Sequence, residues 1–388
     1  MTEFVEDNHI VLLTSGAEYF PALEAECDAA RHEIYIETYI FEDDVAGHRI
    51  AAALKRAAQR GVATHLLVDG YGSKELDPGL VADMQSAGVR FLVYRPDISP
   101  WTFQRQRLRR MHRKLAVIDA RVAFVGGINI IDDMHTPYHT PPRLDYAVRV
   151  EGPLLKGIHP VVKRLWALVE FTRFGRDWHD RTLLQADGEP RGDQRAAFLV
   201  RDNLRHRRDI EEAYLAAIAG ARSEILIASS YFFPGLSFRR ALMEAAARGV
   251  RVILLLQGKI EYALLHYASH ALYGAFLDAG IEIYEYHKSF LHAKVAVIDR
   301  HWATVGSSNI DPLSLLLARE ANVVTVDREF AAGLRQSLAV AMAAGAHQIK
   351  RESWKDQPLP ARVAMWLCYG LARVLTGISA YGQSRDFT

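Results

Sequence analysis

The sequence predicts an α/β fold made of two fused copies of one α/β half, with a single site shared between them. Three observations carry that expectation. Half of the 388 residues are hydrophobic and 24% are charged, the balance of a folded chain long enough for two cores rather than one. A strand–helix–strand pattern recurs after ~190 residues, too long a period for a solenoid unit and right for a whole half-domain. One polar string, His-x-Lys-x-x-x-x-Asp, then stands at the matching place of each copy.

The elements of the repeat follow from periodicity. RHEIYIETYIF leads into AALKRAAQRGVATHLLVDG in the first copy, and RSEILIASSYFF leads into RALMEAAARGVRVILLLQG in the second. Each reads as a β-branched strand, a helix with Ala, Leu and Met at helical spacing, then Arg-Gly-Val and a second buried strand. Ala87-Gly88-Val89 before FLVY answers Ala279-Gly280-Ile281 before EIYEY. Strands alternating with helices indicate a largely buried sheet covered by helices. The expected organisation is a first half over 1–155, a connecting segment over 156–198, a second half over 199–330 and a C-terminal helical segment over 331–388. Within the connecting segment, TLLQADGEPRGDQRAA is polar and turn-rich and reads as the linker.

Composition narrows the function classes. Lysine plus arginine number 47 against 46 acidic residues, so no global field draws the chain to nucleic acid, and no nucleic-acid partner is expected. Cys27 and Cys368 are the only cysteines and have no metal-like spacing, which makes a reduced cytosolic protein the simpler reading. The start, MTEFVEDNHI, has neither the basic region nor the apolar run of a signal peptide. The first 350 residues hold no uninterrupted apolar run of about 18, so no membrane span is expected there.

The chemistry lies in the repeated string. His112-Arg113-Lys114-Leu-Ala-Val-Ile-Asp119 is followed by Gly126, Gly127 and Asn129; His292-Ala293-Lys294-Val-Ala-Val-Ile-Asp299 is followed by Gly306, Ser307, Ser308 and Asn309. In both, histidine to lysine is 2 positions, histidine to aspartate 7 and histidine to asparagine 17. A lone histidine in an apolar strand is usually a satisfied core residue, and a lone H-x-K means little. Two identical spacings at matching places of a repeat are another matter. On a strand, residues two apart share a face, so each histidine stands beside its lysine, and the aspartate falls in the turn before a second strand. The small residues that follow allow a tight reversal bringing the asparagine back toward the histidine. One neutral imidazole can attack phosphorus while a second, protonated one donates to the leaving alkoxide. Lysines and asparagines can donate to the non-bridging oxygens, and a carboxylate on the far ring nitrogen would fix the tautomer. Each half holds one such histidine, so a complete site needs both halves facing each other.

Both strings, with G-x-x-N or G-S-x-N after them, resemble the signature of the phospholipase D superfamily, and the likeness covers nearly the whole chain. It implies a pseudo-dimer of two α/β/α sandwich halves with one shared site and no metal or other cofactor. It places Asp145, in RLDYAVRVEGP, and Glu320, in AREANVVTV, where this family carries the carboxylate that holds each histidine. It also implies His112 as nucleophile and His292 as acid/base. Asp119 and Asp299 complete the candidate catalytic set of His112, Lys114, His292 and Lys294, as structural and electrostatic supports. Asn129, Asn309, Ser307, Asp145 and Glu320 form the candidate substrate-binding set. Within the superfamily, YIETYIFEDD, LLVDGYGS, the run RRMHRKLAVIDARVAFVGGINI, LDYAVRVEGP, RDNLRHRRDIEEAYLAAI and SSYFFPG are similar to the bacterial cardiolipin synthases that lack N-terminal membrane helices. That resemblance implies phosphatidylglycerol as substrate, cardiolipin and glycerol as products, and a peripheral place on the cytoplasmic face of the cell membrane. A phosphodiester hydrolase would use the same residues with water as acceptor.

Four further segments draw attention. The first half carries about twelve extra residues ahead of its histidine, with Trp101, Phe103, Arg105, Arg107, Arg109 and Arg110, which read as a lipid-facing lip, as a solvated loop, or as a basic strip serving nucleic acid. Glu37 and Tyr71 stand at strand ends and either line the pocket or do no more than end their strands. His135 and His139 lack a cysteine or glutamate partner at ligand spacing, so no zinc site is expected, and Gly70-Tyr71-Gly72 is too short for a dinucleotide fingerprint. In PARVAMWLCYGLARVLTGISAYG, residues 360–382, Val363, Leu367, Leu371, Val374 and Ile378 fall on one helical face, with Arg362 and Arg373 opposite and Trp366 and Tyr369 beside them. The stripe suits a helix lying in a membrane plane; the bland alternative is a helix capping the second half's core.

Overall fold

The structure is a computed structural model that describes residues 3–96, 110–136, 140–174, 184–202, 206–260, 262–311, 318–355 and 357–381. The first half runs β1 (Val5–Thr14), α1 (Ser15–Ala29), β2 (Glu33–Thr38), α2 (Val45–Gln59), β3 (Ala63–Asp69), α3 (Pro78–Ser86), β4 (Arg90–Tyr94), β5 (Arg110–Met111), β6 (Lys114–Ile118), β7 (Val122–Gly126), β8 (Tyr146–Glu151) and α4 (Leu155–Phe174). The second runs β9 (Gln194–Arg201), α5 (Asp209–Gly220), β10 (Glu224–Ser229), α6 (Leu236–Ala247), β11 (Arg251–Gln257), α7 (Ala263–His270), α8 (Tyr273–Asp278), β12 (Glu282–Tyr286), β13 (Lys294–Ile298), β14 (Trp302–Gly306), β15 (Ala318–Val326) and α9 (Arg328–Gly345). β16 (Ala346–Ile349), α10 (Arg351–Lys355) and α11 (Leu359–Tyr381) close the chain.

The repeated strings become repeated geometry. Strands β2, β3 and β4 pair in parallel, as do β10, β11 and β12. The glycines of the two Arg-Gly-Val segments, Gly61 and Gly249, have φ of 90° and 87°, the left-handed geometry that ends a helix at little steric cost. Asp44 and Asp77 cap α2 and α3 through Gly47 N at 2.9 Å and Leu80 N at 2.9 Å.

One sheet runs through both copies in the order β16-β12-β11-β10-β13-β14-β15-β9-β1-β8-β7-β6-β2-β3-β4, with β5 off the path against β15. The two copies meet at β1 and β9, which pair antiparallel. Helices α1, α2 and α3 cover one face of the first half, and α5, α6 and α8 cover that of the second. On the other face α4 and α9 share one continuous core, from Leu155 and Trp166 to Leu334 and Leu338. This is the expected double α/β/α sandwich.

The boundaries drawn from sequence cut across elements. The segment 156–198 begins within α4, which is buried against the first half through Ile158, Val162 and Trp166, and it ends inside β9. Residue 331 falls inside α9, the counterpart of α4, whose Phe330, Ala331 and Leu334 belong to the shared core.

Candidate active site

Each catalytic string occupies an edge where the two halves touch. The backbone N–H of His112 donates to the carbonyl of Arg319 at 3.0 Å, and that of His292 to the carbonyl of Leu144 at 2.8 Å. Arg319 and Leu144 immediately precede Glu320 and Asp145. The short ladder between β5 and β15 and the bridge of Leu144 to Leu291 therefore bring each histidine to a carboxylate of the opposite half. His112 Nδ1 lies 2.9 Å and 3.2 Å from the two oxygens of Glu320. His292 Nδ1 lies 2.6 Å from Asp145 Oδ2. Both carboxylates are buried. The histidine side chains keep 17% and 13% of their surface open, so with Nδ1 engaged each imidazole presents Nε2 outward.

The lysines lie beneath. Lys114 Nζ donates to the carbonyl of His112 at 2.6 Å, and Lys294 makes the same bond to the carbonyl of His292. Burial, and then the neighbouring Lys294, push the Lys114 ammonium down to about 7 against the pull of Glu320 and Asp145. Burial pulls His112 below the usual imidazole range, partly offset by Glu320. His292 is held lower still by burial and by Lys294, Lys114 and Arg143. Burial pushes Asp145 up to about 6. The lysines of the two halves act on each other and on His292, as they must in one shared site. An anionic group between the imidazoles would relieve this excess of positive charge.

Asn129 and Asn309 stand at matching places, each orienting through its oxygen: Asn129 accepts Ile40 N–H at 3.1 Å, Asn309 the hydroxyl of Ser230 at 3.0 Å. The glycine and serine ahead of them serve close approach rather than a reversal. A side chain on Gly126 would meet Ala147 Cα at 2.5 Å, and one on Gly127 would strike the Asp145 carboxylate. Ser307, in Gly127's place, instead donates to Glu320 Oε2 at 2.5 Å and accepts the Ala321 N–H at 3.0 Å.

Asp119 and Asp299 do not join the reacting groups, which corrects their place in the candidate catalytic set. At about 3.3 Å per residue they lie roughly 20 Å from their histidines. Asp119 accepts the N–H groups of Arg31, His32 and Glu33 at 2.8, 2.8 and 3.0 Å. Asp299 accepts those of Arg222, Ser223 and Glu224 at 2.8, 2.8 and 3.0 Å. Both lead turns in which two successive residues have positive φ, a conformation aspartate tolerates. They tie each catalytic strand to the start of its antiparallel neighbour, β2 or β10.

Of its two readings, Glu37 takes the one outside the pocket. It faces away from the histidines and pairs with buried Arg113 through both guanidinium edges, Nη2 at 2.8 Å and Nε closer. Arg113 continues to the carbonyl of Val161 on α4 at 3.3 Å. Strand parity required this, because Arg113 and His112 point to opposite faces. Tyr71 is exposed under Arg110, whose guanidinium carbon is 5.3 Å from the ring centre. His135 is exposed on a turn, and among the described residues no group of histidine, cysteine or acidic side chains could hold a metal ion. His139 and the arginine-rich insertion up to Arg109 lie outside the described residues. Sequence reading passed over Tyr39, whose ring lies edge-on to His112 at 4.9 Å with Lys114 Nζ 5.5 Å from its centre. It also passed over Arg143, near His292.

Comparison with known proteins now decides the family. The family described as "Cardiolipin synthase, PLD-like domain" matches residues 23–136 and 214–340, one copy in each half. The chain belongs to that family. It is 42% identical over 345 residues to cardiolipin synthase B of Escherichia coli (strain K12), covering 89% of this chain and 83% of that one. It is 32% identical over 315 residues to a cardiolipin synthase of Geobacillus kaustophilus (strain HTA426), covering 80% and 61%. A crystal structure of phosphatidylserine synthase from Haemophilus influenzae Rd KW20 superposes with a TM-score of 0.72 at 12% identity over 97% of this chain and 96% of that one, which bears on the fold alone. The cross-half histidine sites described above are thus the two motifs of a phospholipase D-like transferase.

Proposed function

We propose that the chain is a cardiolipin synthase that transfers a phosphatidyl group from one phosphatidylglycerol to a second through a phosphohistidine. The observation that carries this reading is the pair of imidazoles, each held at Nδ1 by a carboxylate of the other half above two buried lysines. In the first step Nε2 of His112 attacks phosphorus, the bond to the glycerol oxygen breaks, and His292 gives that oxygen its proton. In the second, neutral His292 takes a proton from a headgroup hydroxyl of the second phosphatidylglycerol. The alkoxide displaces His112 from phosphorus, releasing cardiolipin. One phosphodiester replaces another, so no energy donor is consumed. Lys114, Lys294 and the amides of Asn129 and Asn309 stabilise the charge on the non-bridging oxygens.

The substrates sit in a bilayer, and α11 suits contact with one. No helix among the described residues is long and apolar enough to cross a membrane. Met365 and Ala372 of α11 are buried against the second half, while Val363, Leu367, Leu371 and Val374 are exposed at 50%, 69%, 52% and 57%. The helix thus both caps the core and presents the apolar stripe read from sequence, which supports a peripheral place on the inner face of the cell membrane. Phosphatidylglycerol vesicles incubated with purified protein should yield cardiolipin and glycerol in equal amounts. Phosphatidic acid as the main product would make the chain a hydrolase instead.

A further inference from the structure

The two halves are not copies of one another around the phosphorus. Tyr39 corresponds to Ser230, since Phe41 and Phe232, two positions on in each copy, bridge Ile130 and Ile310 of the respective motifs. In the first half the Tyr39 ring fills the space beside His112. In the second, Ser230 reaches only as far as Asn309, and its N–H donates to the carbonyl of Ala293, next to His292, at 3.0 Å. Around Ser230 lies a small pocket, lined by Ser230, Tyr231, Gln257, Tyr262 and His266 among others.

A second asymmetry sits on the pocket wall. Asp69 and Gln257 end the equivalent strands β3 and β11. Asp69 is fully engaged, accepting from Met111 N at 2.9 Å, Tyr71 N at 2.9 Å and Gly72 N at 3.2 Å. Gln257 is 7% exposed; its oxygen accepts Lys259 N–H at 3.3 Å, but its buried amide nitrogen has no partner. A buried donor without an acceptor is uncommon in a folded protein, and this one lines the pocket, where a ligand oxygen can serve as its acceptor. Burial and His270 push His266 down to about 4, so it offers the pocket an uncharged ring at neutral pH. The Tyr231 and Tyr262 rings, 5.7 Å apart, form the outer wall.

We propose that this pocket binds the glycerol headgroup that leaves or attacks at phosphorus, with Gln257 donating its amide hydrogens to a headgroup hydroxyl. The placement agrees with the chemistry. An in-line displacement sets the leaving oxygen opposite the attacking nitrogen, so a headgroup leaving from His112 departs toward His292, and Ser230 on the pocket wall is hydrogen-bonded to Ala293, the residue after His292. The inference rests on the transferase reading above and adds its headgroup specificity.

The test uses the full chain, cardiolipin as donor and free glycerol as acceptor, and measures phosphatidylglycerol against phosphatidic acid. Ser230→Tyr, which copies the first half, and Gln257→Leu should each lower the ratio of glycerol transfer to hydrolysis at least tenfold and raise the KM for glycerol. Two substitutions on different strands guard against one that merely fails to fold. An unchanged ratio in both overturns the proposal, as does a selective loss of transfer to choline with transfer to glycerol intact. Should the wild type transfer nothing to glycerol while both histidines remain necessary for bis(p-nitrophenyl) phosphate cleavage, the transferase reading falls. The pocket is then decided by the Gln257 side-chain amide resonance, which glycerol must shift if the pocket binds it.

Discussion

Replacing Asp145 by asparagine tests the site most sharply, because the structure dictates how the new amide must lie. Asp145 Oδ1 accepts the backbone N–H of Tyr146 at 2.8 Å, and Oδ2 faces His292 Nδ1 at 2.6 Å. A backbone donor cannot turn away, so the asparagine oxygen takes the Oδ1 place and the NH2 group faces the imidazole. His292 Nδ1 must then accept, its proton moves to Nε2, and the ring can no longer act as a base. An amide in the equivalent place of a hydrolase triad costs about 10⁴ in kcat by forcing this tautomer, or ~5.4 kcal/mol at 1.36 per decade. The same scale is expected here in kcat, with little change in KM. Glu320→Gln should cost less, roughly 10² to 10³ on that same scale. Its second oxygen is held by the hydroxyl of Ser307, and a hydroxyl can rotate to accept from the amide. The assay is single-turnover transfer from labelled phosphatidylglycerol, quenched and digested. A neutral Nε2–H on His292 still hydrogen-bonds the leaving glycerol oxygen, which takes its proton from water, but the ring cannot take a proton from the acceptor hydroxyl, so Asp145→Asn should accumulate phosphatidyl on His112. Activity within tenfold of wild type, or label on His292, would refute the reasoning.

The pH profile of kcat/KM should be bell-shaped. It rises through about 6 as Asp145 ionises and can hold His292, and falls through about 7 as Lys114 loses the proton that neutralises phosphate; Lys114→Arg should move the alkaline limb upward. Activity should survive thorough chelation, since two lysines already balance the phosphate; loss on chelation with recovery on adding a divalent ion would contradict the mechanism. Asp119→Ala should cost about 1–3 kcal/mol of stability by leaving three backbone N–H donors without their acceptor, seen as a lower Tm, while the folded enzyme keeps most of its kcat. Leu367→Asp with Leu371→Asp should release the protein from phosphatidylglycerol liposomes and lower turnover on bilayers more than on detergent-solubilised lipid. Unchanged liposome binding would remove the bilayer role of α11.

The repeat and its motifs were legible because they rest on local periodicity: period 2 along β6 and β13, helical spacing along α2 and α6, and one spacing kept in two places. Strand parity also held enough information to place Arg113, and with it Glu37, on the face turned away from the site. Other features belong to the docking of the halves. Sequence position could mark Asp145 and Glu320 as the carboxylates that hold the histidines, but it could not say that each serves the histidine of the opposite half. That follows only from the backbone bonds of His112 to Arg319 and His292 to Leu144. The distance from His112 to Asp119 along an extended strand was computable from the sequence. Its consequence, a tether for the start of β2, needed the neighbour to be known. The unpartnered amide of Gln257 had no signal at all in LLLQG.

A duplicated half explains why the site exists, and the departures from symmetry explain how its two histidines can take different roles. Two equivalent imidazoles would each be nucleophile and acid by turns. Here several differences between the copies fall in the same sense. Tyr39 packs its ring against His112, where its counterpart Ser230 has only a hydroxyl, spent on Asn309. Asp69 is consumed by the loop it anchors where Gln257 keeps a donor for a ligand. Glu320 is bound by a serine hydroxyl, whereas Asp145 lies against the bare backbone of Gly127, with Arg143 adding positive charge near His292. Ring, amide and arginine together make the His292 side the one where a small hydroxylated group can enter and exchange a proton. The His112 side is left to hold the lipid phosphate. Symmetry brings the two reacting nitrogens to one phosphorus, and substitution at a few matched positions divides the labour between them.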